Sequence, residues 1–222
     1  MTEPKFLHRS RLVAVLWGIL LLIAIVAFVI GRASLGFVAL ATVALAVAPA
    51  YLASTFEIRL PTPFLVAITA FLFGSVFMGE AFNFYEKYWW WDIALHGSSA
   101  LGFGLIGFLL MHMLFAGDRY AAPPSAVSFF GFCFAMTVGA VWEIFEFLMD
   151  LGFGLNMQKS GLPDTMGDLI VDAVGAAIGA LAGFIYLKGK DDPILTSLIR
   201  EFIGKNRNLY QKSRDRFRRR PN

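Results

Sequence analysis

Six carboxylic side chains lie close together in a stretch of the chain that is otherwise strongly apolar. They recur at helical spacings of three or four residues within two successive apolar runs, and they are Glu143, Glu146, Asp150, Asp164, Asp168 and Asp172. An ionised carboxylate inside a membrane span is costly, so such residues usually face the protein interior and mark a path or a site. The sequence therefore predicts a functional site within residues 142–175.

A histidine belongs with these acids. Asp92 and His96 are four residues apart at the start of an earlier apolar run, which places both on one face of the predicted helix. The two acid-bearing runs are predicted to be antiparallel helices, each with its acids on one face. This arrangement predicts that Glu143 faces Asp172 at depth. By the same argument, the acids at 150 and 164 face each other near the membrane surface.

Carboxylates crowded in this way require compensation: either several are protonated, or a cation neutralises them. An oxygen-rich set with one imidazole suits a divalent ion such as Mg, Ca, Mn, Fe or Zn, and it offers no soft ligands for copper(I). The Glu-x-x-His signature of dinuclear bundle sites is absent. The predicted metal ligands are Asp92, His96, Glu143, Asp168 and Asp172.

Further roles follow from the same pattern. Glu146 is a candidate general base, and His96 is a candidate catalytic group as well as a ligand. The residues expected around the ligands or at the rim of the site are Glu80, Tyr85, Asp150, Gln158 and Asp164.

Each of these residues also has a structural explanation. Asp92 and Asp164 lie at predicted helix starts, where a carboxylate can cap free amides and interact favourably with the helix dipole. The deeper acids can form a hydrogen-bonded network that fixes the helix register. His96 can be an interior histidine with satisfied hydrogen bonds. These structural explanations remain open as alternatives to a metal site.

The composition identifies the protein class that must position these residues. Of 222 residues, 58% are hydrophobic and only 16% are charged, which indicates a membrane protein. The single cysteine, Cys133, excludes an intramolecular disulfide and a multi-cysteine metal site. The pattern predicts an all-α fold with six transmembrane helices, at about 12–30, 35–53, 63–78, 91–116, 125–149 and 164–187.

The C-terminal segment has a different character. We predict a six-helix transmembrane domain at 1–187, followed at 188–222 by an amphipathic helix and a basic tail. Residues 188–220 hold eleven Lys or Arg against four Asp or Glu. A basic run directly after a span favours contact with anionic lipid headgroups over nucleic acid. The alternative is that the apolar face of this helix packs on the protein's own cytoplasmic loops.

The basic residues also predict the orientation, because cytoplasmic segments carry an excess of Lys and Arg. With the N-terminus inside, the inner segments hold sixteen basic residues and the outer loops hold three. Both termini are therefore expected in the cytoplasm, and the acidic residues converge on the outer side.

Four blocks of sequence carry a family resemblance: GEAFNFYEKYWWWDIALHGSSALGFGLIGF, WEIFEFLMD, NMQKSG and DTMGDLIVDAVGA. In these blocks, within residues 63–187, the chain resembles the YjdF-like bacterial inner membrane proteins, which are distantly similar to VanZ-like proteins. That family is defined mainly as a domain of unknown function. The resemblance implies a multi-pass protein of the bacterial cytoplasmic membrane and no established activity. The matching positions are Glu80, Tyr85, Asp92, His96, Trp142, Glu143, Glu146, Asp150, Gln158, Asp164, Thr165, Asp168 and Asp172.

Three functions are compatible with these residues. The first is a metal-dependent enzyme for a lipid or lipid-linked substrate at the outer leaflet, in which the ion activates water or polarises a phosphoryl or ester oxygen. The second is a cation or proton-coupled carrier that uses the same carboxylates, and the third is a non-catalytic scaffold. A dead-end pocket favours the enzyme, and below the acids the sequence offers mainly Gly, Ala, Phe and Ile.

Overall fold

A computed structural model describes residues 11–115, 122–190, 192 and 196–211. The regular structure in these residues is helical throughout, which confirms the all-α membrane fold. A π-helical segment, Phe73–Ala81, directly continues α3. The α-helices are α1 (Arg11–Val29), α2 (Ala33–Thr55), α3 (Thr62–Leu72), α4 (Phe84–Lys87), α5 (Trp91–Phe115), α6 (Pro124–Phe153), α7 (Leu162–Leu187) and α8 (Ser197–Lys205).

Five of the helical stretches within these ranges are long and apolar enough to cross a membrane. They are Ala33–Thr55, Thr62–Ala81, Trp91–Phe115, Pro124–Phe153 and Leu162–Leu187. Helix α1 is equally apolar but shorter over its Val13–Val29 part. The protein is therefore a polytopic membrane protein, and a sixth span at α1 stays a prediction.

The chain divides into two compact units, Met1–Trp91 and Asp92–Asn222. In the first unit, Leu20 and Ala24 of α1 pack with Ala39 of α2 and Phe77 of the π-helical segment. Small residues along α2 let α1 approach closely, as is usual between helices in lipid. These two units do not test the predicted division into a transmembrane domain at 1–187 and a C-terminal segment at 188–222, which stays a prediction.

The third predicted helix is not uniform. It changes from α to π geometry at Phe73, where each amide bonds to a carbonyl five residues earlier instead of four. Gly74 and Gly79 are buried in this segment, and the ring of Tyr85 occupies the space that a side chain at Gly79 would need. The apolar periodicity predicted a helix here but not its wider turn.

In the second unit, α6 and α7 form an antiparallel hairpin joined by residues 154–161. Helix α6 continues past its predicted end at 149 to Phe153, and Gly154 ends it with a positive φ of 65°, a conformation that suits glycine. Helix α7 begins at Leu162. The C-terminal end of α6 and the N-terminal end of α7 therefore lie at the same end of the hairpin, as the acid-bearing faces require.

The C-terminal helix α8 packs on the protein. Ile199 and Thr196 are fully buried, and the Tyr210 hydroxyl lies 3.5 Å from the carbonyl oxygen of Leu109 in α5. Burial raises the pKa of Tyr210, which keeps the phenol neutral. The apolar face of α8 is thus covered by the protein, but the contact at Tyr210 is to helix α5, whereas the sequence-based alternative named the cytoplasmic loops. Contact of the tail with anionic lipids stays a prediction, and residues 193–195 and 212–222 lie outside the described part of the chain.

Candidate metal centre

His96 lies among carboxylates from three helices. Its Nδ1 atom is 3.3 Å from Asp172 Oδ1, and its Nε2 atom is 3.8 Å from Glu143 Oε1 and 3.9 Å from Asp92 Oδ1. Both ring nitrogens therefore face carboxylate oxygens, although a neutral imidazole can donate from only one of them. His96 is 8% exposed. The ring is the centre of a buried polar cluster.

Three side chains of this cluster are spaced as metal ligands would be. One ligand atom each from His96, Glu143 and Asp168 fall within 4.8 Å of one another. Glu143 and Asp168 are both 4% exposed, and Asp172 is 2% exposed. Helix α5 thus supplies the imidazole, α6 supplies one carboxylate, and α7 supplies two. We call these four residues the inner group.

Several carboxylate oxygens of the inner group are buried without a hydrogen-bond partner among the described residues. They are both oxygens of Glu143, Oδ2 of Asp168 and Oδ2 of Asp172. The Thr165 hydroxyl lies near Glu143 but outside hydrogen-bonding geometry. Unpaired carboxylate oxygens are costly to bury, so these atoms require a proton, a water molecule or a cation. Their donor chemistry fits a hard or borderline divalent ion.

Gly139 of α6 makes room for Asp172. A Cβ atom at position 139 would overlap Oδ2 of Asp172, so any other residue here would require the Asp172 carboxylate to move. Gly139 is not among the residues predicted from the sequence. The pattern that could have identified it is its position four residues before Glu143, which places both on the same face of α6.

A second set of acids lies beside the inner group. One carboxylate oxygen each from Asp92, Asp164 and Asp168 fall within 4.8 Å of one another, and we call these three the outer group. Lys159 donates from Nζ to Asp92 Oδ2 at 2.8 Å. In the sequence, Lys159 stands out only as one of the three basic residues of the predicted outer loops. The structure assigns it a carboxylate partner 67 positions away, which local pattern could not reveal.

Asp150 holds the loop that carries Lys159. Its Oδ1 accepts the Met157 amide at 2.7 Å, and its Oδ2 accepts the Gln158 amide at 2.9 Å. The Gln158 side chain donates to Thr165 Oγ1 at 2.6 Å, tying the loop to α7. The helical spacing predicts that Asp150 faces Asp164. In the structure both Asp150 oxygens bond the loop amides, and Asp164 groups with Asp92 and Asp168 instead.

Glu146 lies at the side of the cluster. Its Oε1 accepts the Trp142 indole N–H at 2.9 Å, one turn earlier on α6. Trp142 is 46% exposed, whereas Glu146 is half-buried. The Glu146 carboxylate is therefore less buried than the inner group and is paired with an exposed tryptophan.

The remaining predicted rim residues belong to the first unit. Glu80 is exposed on the π-helical segment, and Tyr85 of α4 places its ring over Gly79. Their predicted role at the rim stays a prediction.

Below the acids, α5, α6 and α7 pack backbone to backbone. Cβ atoms at Gly175 and Gly179 of α7 would overlap the carbonyl oxygens of Gly97 and Leu101 in α5. A Cβ atom at Gly131 of α6 would lie 2.9 Å from the Phe108 amide nitrogen. Backbones this close leave no room for water between them. Among the described residues of the second unit, the inner group is therefore closed below where α5 meets α6 and α7, and we call these contacts the closed floor.

Replacing Asp150 with alanine tests the loop assignment. Two hydrogen bonds to a charged acceptor are lost, each contributing about 1.5–3 kcal/mol. We expect amide hydrogen exchange in residues 155–161 to accelerate at least about tenfold, since 1.4 kcal/mol corresponds to that factor. Glu201→Ala, in the exposed Lys205–Glu201 pair of α8, is the control. Unchanged exchange in Asp150→Ala would show that other contacts hold the loop.

Comparison with known proteins places the chain in a sequence family. It matches the model of the family described as "Predicted membrane protein (DUF2238)" over residues 12–189. A Thermotoga maritima protein described as "Uncharacterized protein" is 31% identical over 132 residues, which are 60% of this chain and 65% of that protein. The match thus spans less than two thirds of that relative's length. No solved structure matches the chain.

Proposed function

The chain belongs to the DUF2238 family of membrane proteins, and we propose that it is a metal-dependent enzyme acting on a lipid or lipid-linked substrate. One observation carries the proposal: the buried His96 ring is surrounded by carboxylates whose oxygens largely lack hydrogen-bond partners among the described residues. Polar groups are rarely buried in this state without a functional reason.

The residues that would hold the ion are His96, Glu143, Asp168 and Asp172, with Asp92 beside them. They combine one imidazole with carboxylates, which suits Mn, Fe, Zn, Mg or Ca. A bound ion would supply Lewis-acid chemistry, activating a water molecule or polarising a phosphoryl or ester oxygen.

Glu146 is the proposed general base. It lies beside the inner group but is only half-buried, and its carboxylate accepts the indole N–H of the exposed Trp142. A lipid approaching along the apolar surface of α6 would meet this carboxylate before the buried acids. A base at this position can take a proton from water at the edge of the site.

The closed floor favours an enzyme over a carrier. A carrier needs polar groups that continue across the membrane, whereas here the helices beneath the acids meet at glycines and carbonyl oxygens. His112, nearer the other end of α5, stacks on Phe108 with ring centroids 5.8 Å apart and has Tyr210 as a further neighbour. It belongs to an aromatic cluster instead of a polar path.

The cellular setting is part of the same proposal. The resemblance to the YjdF-like proteins supports a bacterial cytoplasmic membrane location, and the charge bias supports an orientation with both termini in the cytoplasm and the acids on the outer side. The basic tail would then contact anionic headgroups. The sequence blocks quoted above support a relation to the YjdF-like proteins and, more distantly, to VanZ-like proteins.

Lipid turnover tests the enzymatic function. Full-length protein in nanodiscs of bacterial lipid extract would be incubated with Mn²⁺ or Zn²⁺, and the lipids compared by mass spectrometry. We expect a product that chelator abolishes and that Glu146→Gln reduces about 100-fold to 10,000-fold, the usual contribution of a general base. Glu146→Gln should still bind the ion, and Glu201→Gln should behave as wild type. Ion binding without any lipid conversion would contradict the enzyme and leave a structural metal.

A further inference from the structure

The Lys159 ammonium is seated on the outer group. Its Nζ atom lies 2.8 Å from Asp92 Oδ2. The backbone amide of Lys159 faces the Asp164 carboxylate. The lysine side chain is about three quarters buried. The ammonium therefore pairs with one member of a group in which three carboxylates converge.

The loop brings the ammonium to this place by specific contacts. Asp150 accepts the amides of Met157 and Gln158, the two residues directly before Lys159. Gln158 also donates to Thr165 on the first turns of α7. These bonds fix the loop at both of its neighbouring helices, so the lysine is directed at the acids by the fold.

Asp168 connects the two groups of acids. It belongs both to the inner group with His96 and Glu143 and to the outer group with Asp92 and Asp164. Its Oδ2 atom is buried and makes no hydrogen bond with the described residues, and the residue is 4% exposed. A carboxylate shared by two sets of ligands is the arrangement found where two metal ions lie a few ångströms apart.

We propose that Asp92, Asp164 and Asp168 form a second divalent-cation site, which the Lys159 ammonium occupies when the ion is absent. A divalent ion brings two charges to three carboxylates where the lysine brings one, so it can displace the ammonium and release the loop. This inference rests on the proposed function, because it makes the centre dinuclear when both groups are filled. In this proposal the Lys159 ammonium competes with the second ion for the same carboxylates.

Metal stoichiometry tests the proposal. Full-length protein in detergent would be freed of metal with chelator, titrated with Mn²⁺ and analysed by equilibrium dialysis with elemental analysis. In the wild type we expect one tight ion and a second, weaker one. Lys159→Gln should tighten the second ion about tenfold or more, as expected for removing one adjacent like charge. Lys188→Gln, the same charge change at the other end of α7, is the matched control.

Three variants assign the ions to their sites. Asp164→Asn should remove only the second ion, Glu143→Gln should weaken the first, and the pair Asp164→Asn with Lys159→Gln should bind one ion. A pair of Mn²⁺ ions in Lys159→Gln should also show spin coupling by electron paramagnetic resonance.

The outcomes separate the two proposals. If Lys159→Gln binds one ion with wild-type affinity, the second site is wrong and the inner site stands. If Lys159→Gln tightens an ion that Asp164→Asn removes while Glu143→Gln changes nothing, the outer site stands and the inner site is wrong. If neither the wild type nor Lys159→Gln binds Mn²⁺, or Zn²⁺ in a parallel titration, both proposals fail and Lys159 is a structural ion-pair partner.

Discussion

Replacing Asp168 with asparagine is expected to abolish metal binding while leaving the metal-free protein at least as stable as the wild type. Asp168 belongs to both groups of acids, so its loss removes a ligand from each. In the metal-free protein, the substitution replaces a buried, unpaired carboxylate oxygen with a neutral amide, which relieves a desolvation cost. Sites built for ligands commonly reduce stability in this way.

Thermal unfolding with and without Mn²⁺ measures both effects. An ion that binds only the folded protein stabilises it by about 2.7 kcal/mol at a free concentration about 100 times its Kd. The wild type should show this stabilisation and Asp168→Asn should not. Glu201→Gln should respond as the wild type does. If Asp168→Asn instead unfolds more easily in chelator, the acids form a structural network and the scaffold hypothesis gains.

A single methyl group at Gly175 is expected to have the largest effect on folding. The Cβ atom of Gly175→Ala would overlap the carbonyl oxygen of Gly97 in α5, a backbone atom that no side-chain rotation can move. The α5 and α7 helices must separate to relieve the clash. Overpacking of this kind costs about 1–3 kcal/mol or more. We expect a lowered unfolding temperature and, because the floor opens, weaker metal binding.

Gly167→Ala is the matched control for this prediction. It makes the same change on the same helix, but its Cβ atom would meet nothing within 4 Å. Alanine favours the helix over glycine by about 1 kcal/mol, so this variant should be as stable as the wild type or more so. Equal behaviour of the two alanine variants would contradict the close approach of α5 and α7.

The apolar runs and the acid spacing were enough to predict most of the fold and the composition of the inner group. A helix repeats every 3.6 residues, so residues that share a face can be identified from the sequence alone. Helices α5, α6 and α7 begin within two residues of their predicted starts, and His96, Glu143, Asp168 and Asp172 come together. Their role as metal ligands stays a prediction.

The contacts between segments that are distant in the sequence could not be predicted from local sequence patterns. The bond from Lys159 to Asp92 and the use of both Asp150 oxygens by the loop depend on where the loop after α6 returns to the bundle. The π geometry of Phe73–Ala81 depends on hydrogen bonds that leave the apolar pattern unchanged. The packing of Ile199 depends on which surface the C-terminal helix meets.

The closed floor under the inner group has an electrical consequence. If the acids face the outer solution, as proposed, a cation that reaches His96 crosses only part of the membrane. Among the described residues, the backbone contacts at Gly175 and Gly179 close the way onward between α5 and α7, so such a cation would return by the same route. Each elementary charge that crosses the whole membrane gains or loses about 2.3 kcal/mol per 100 mV, so only a fraction of this energy acts on the bound ion. Membrane voltage would therefore shift the occupancy of the centre without driving a steady current through it.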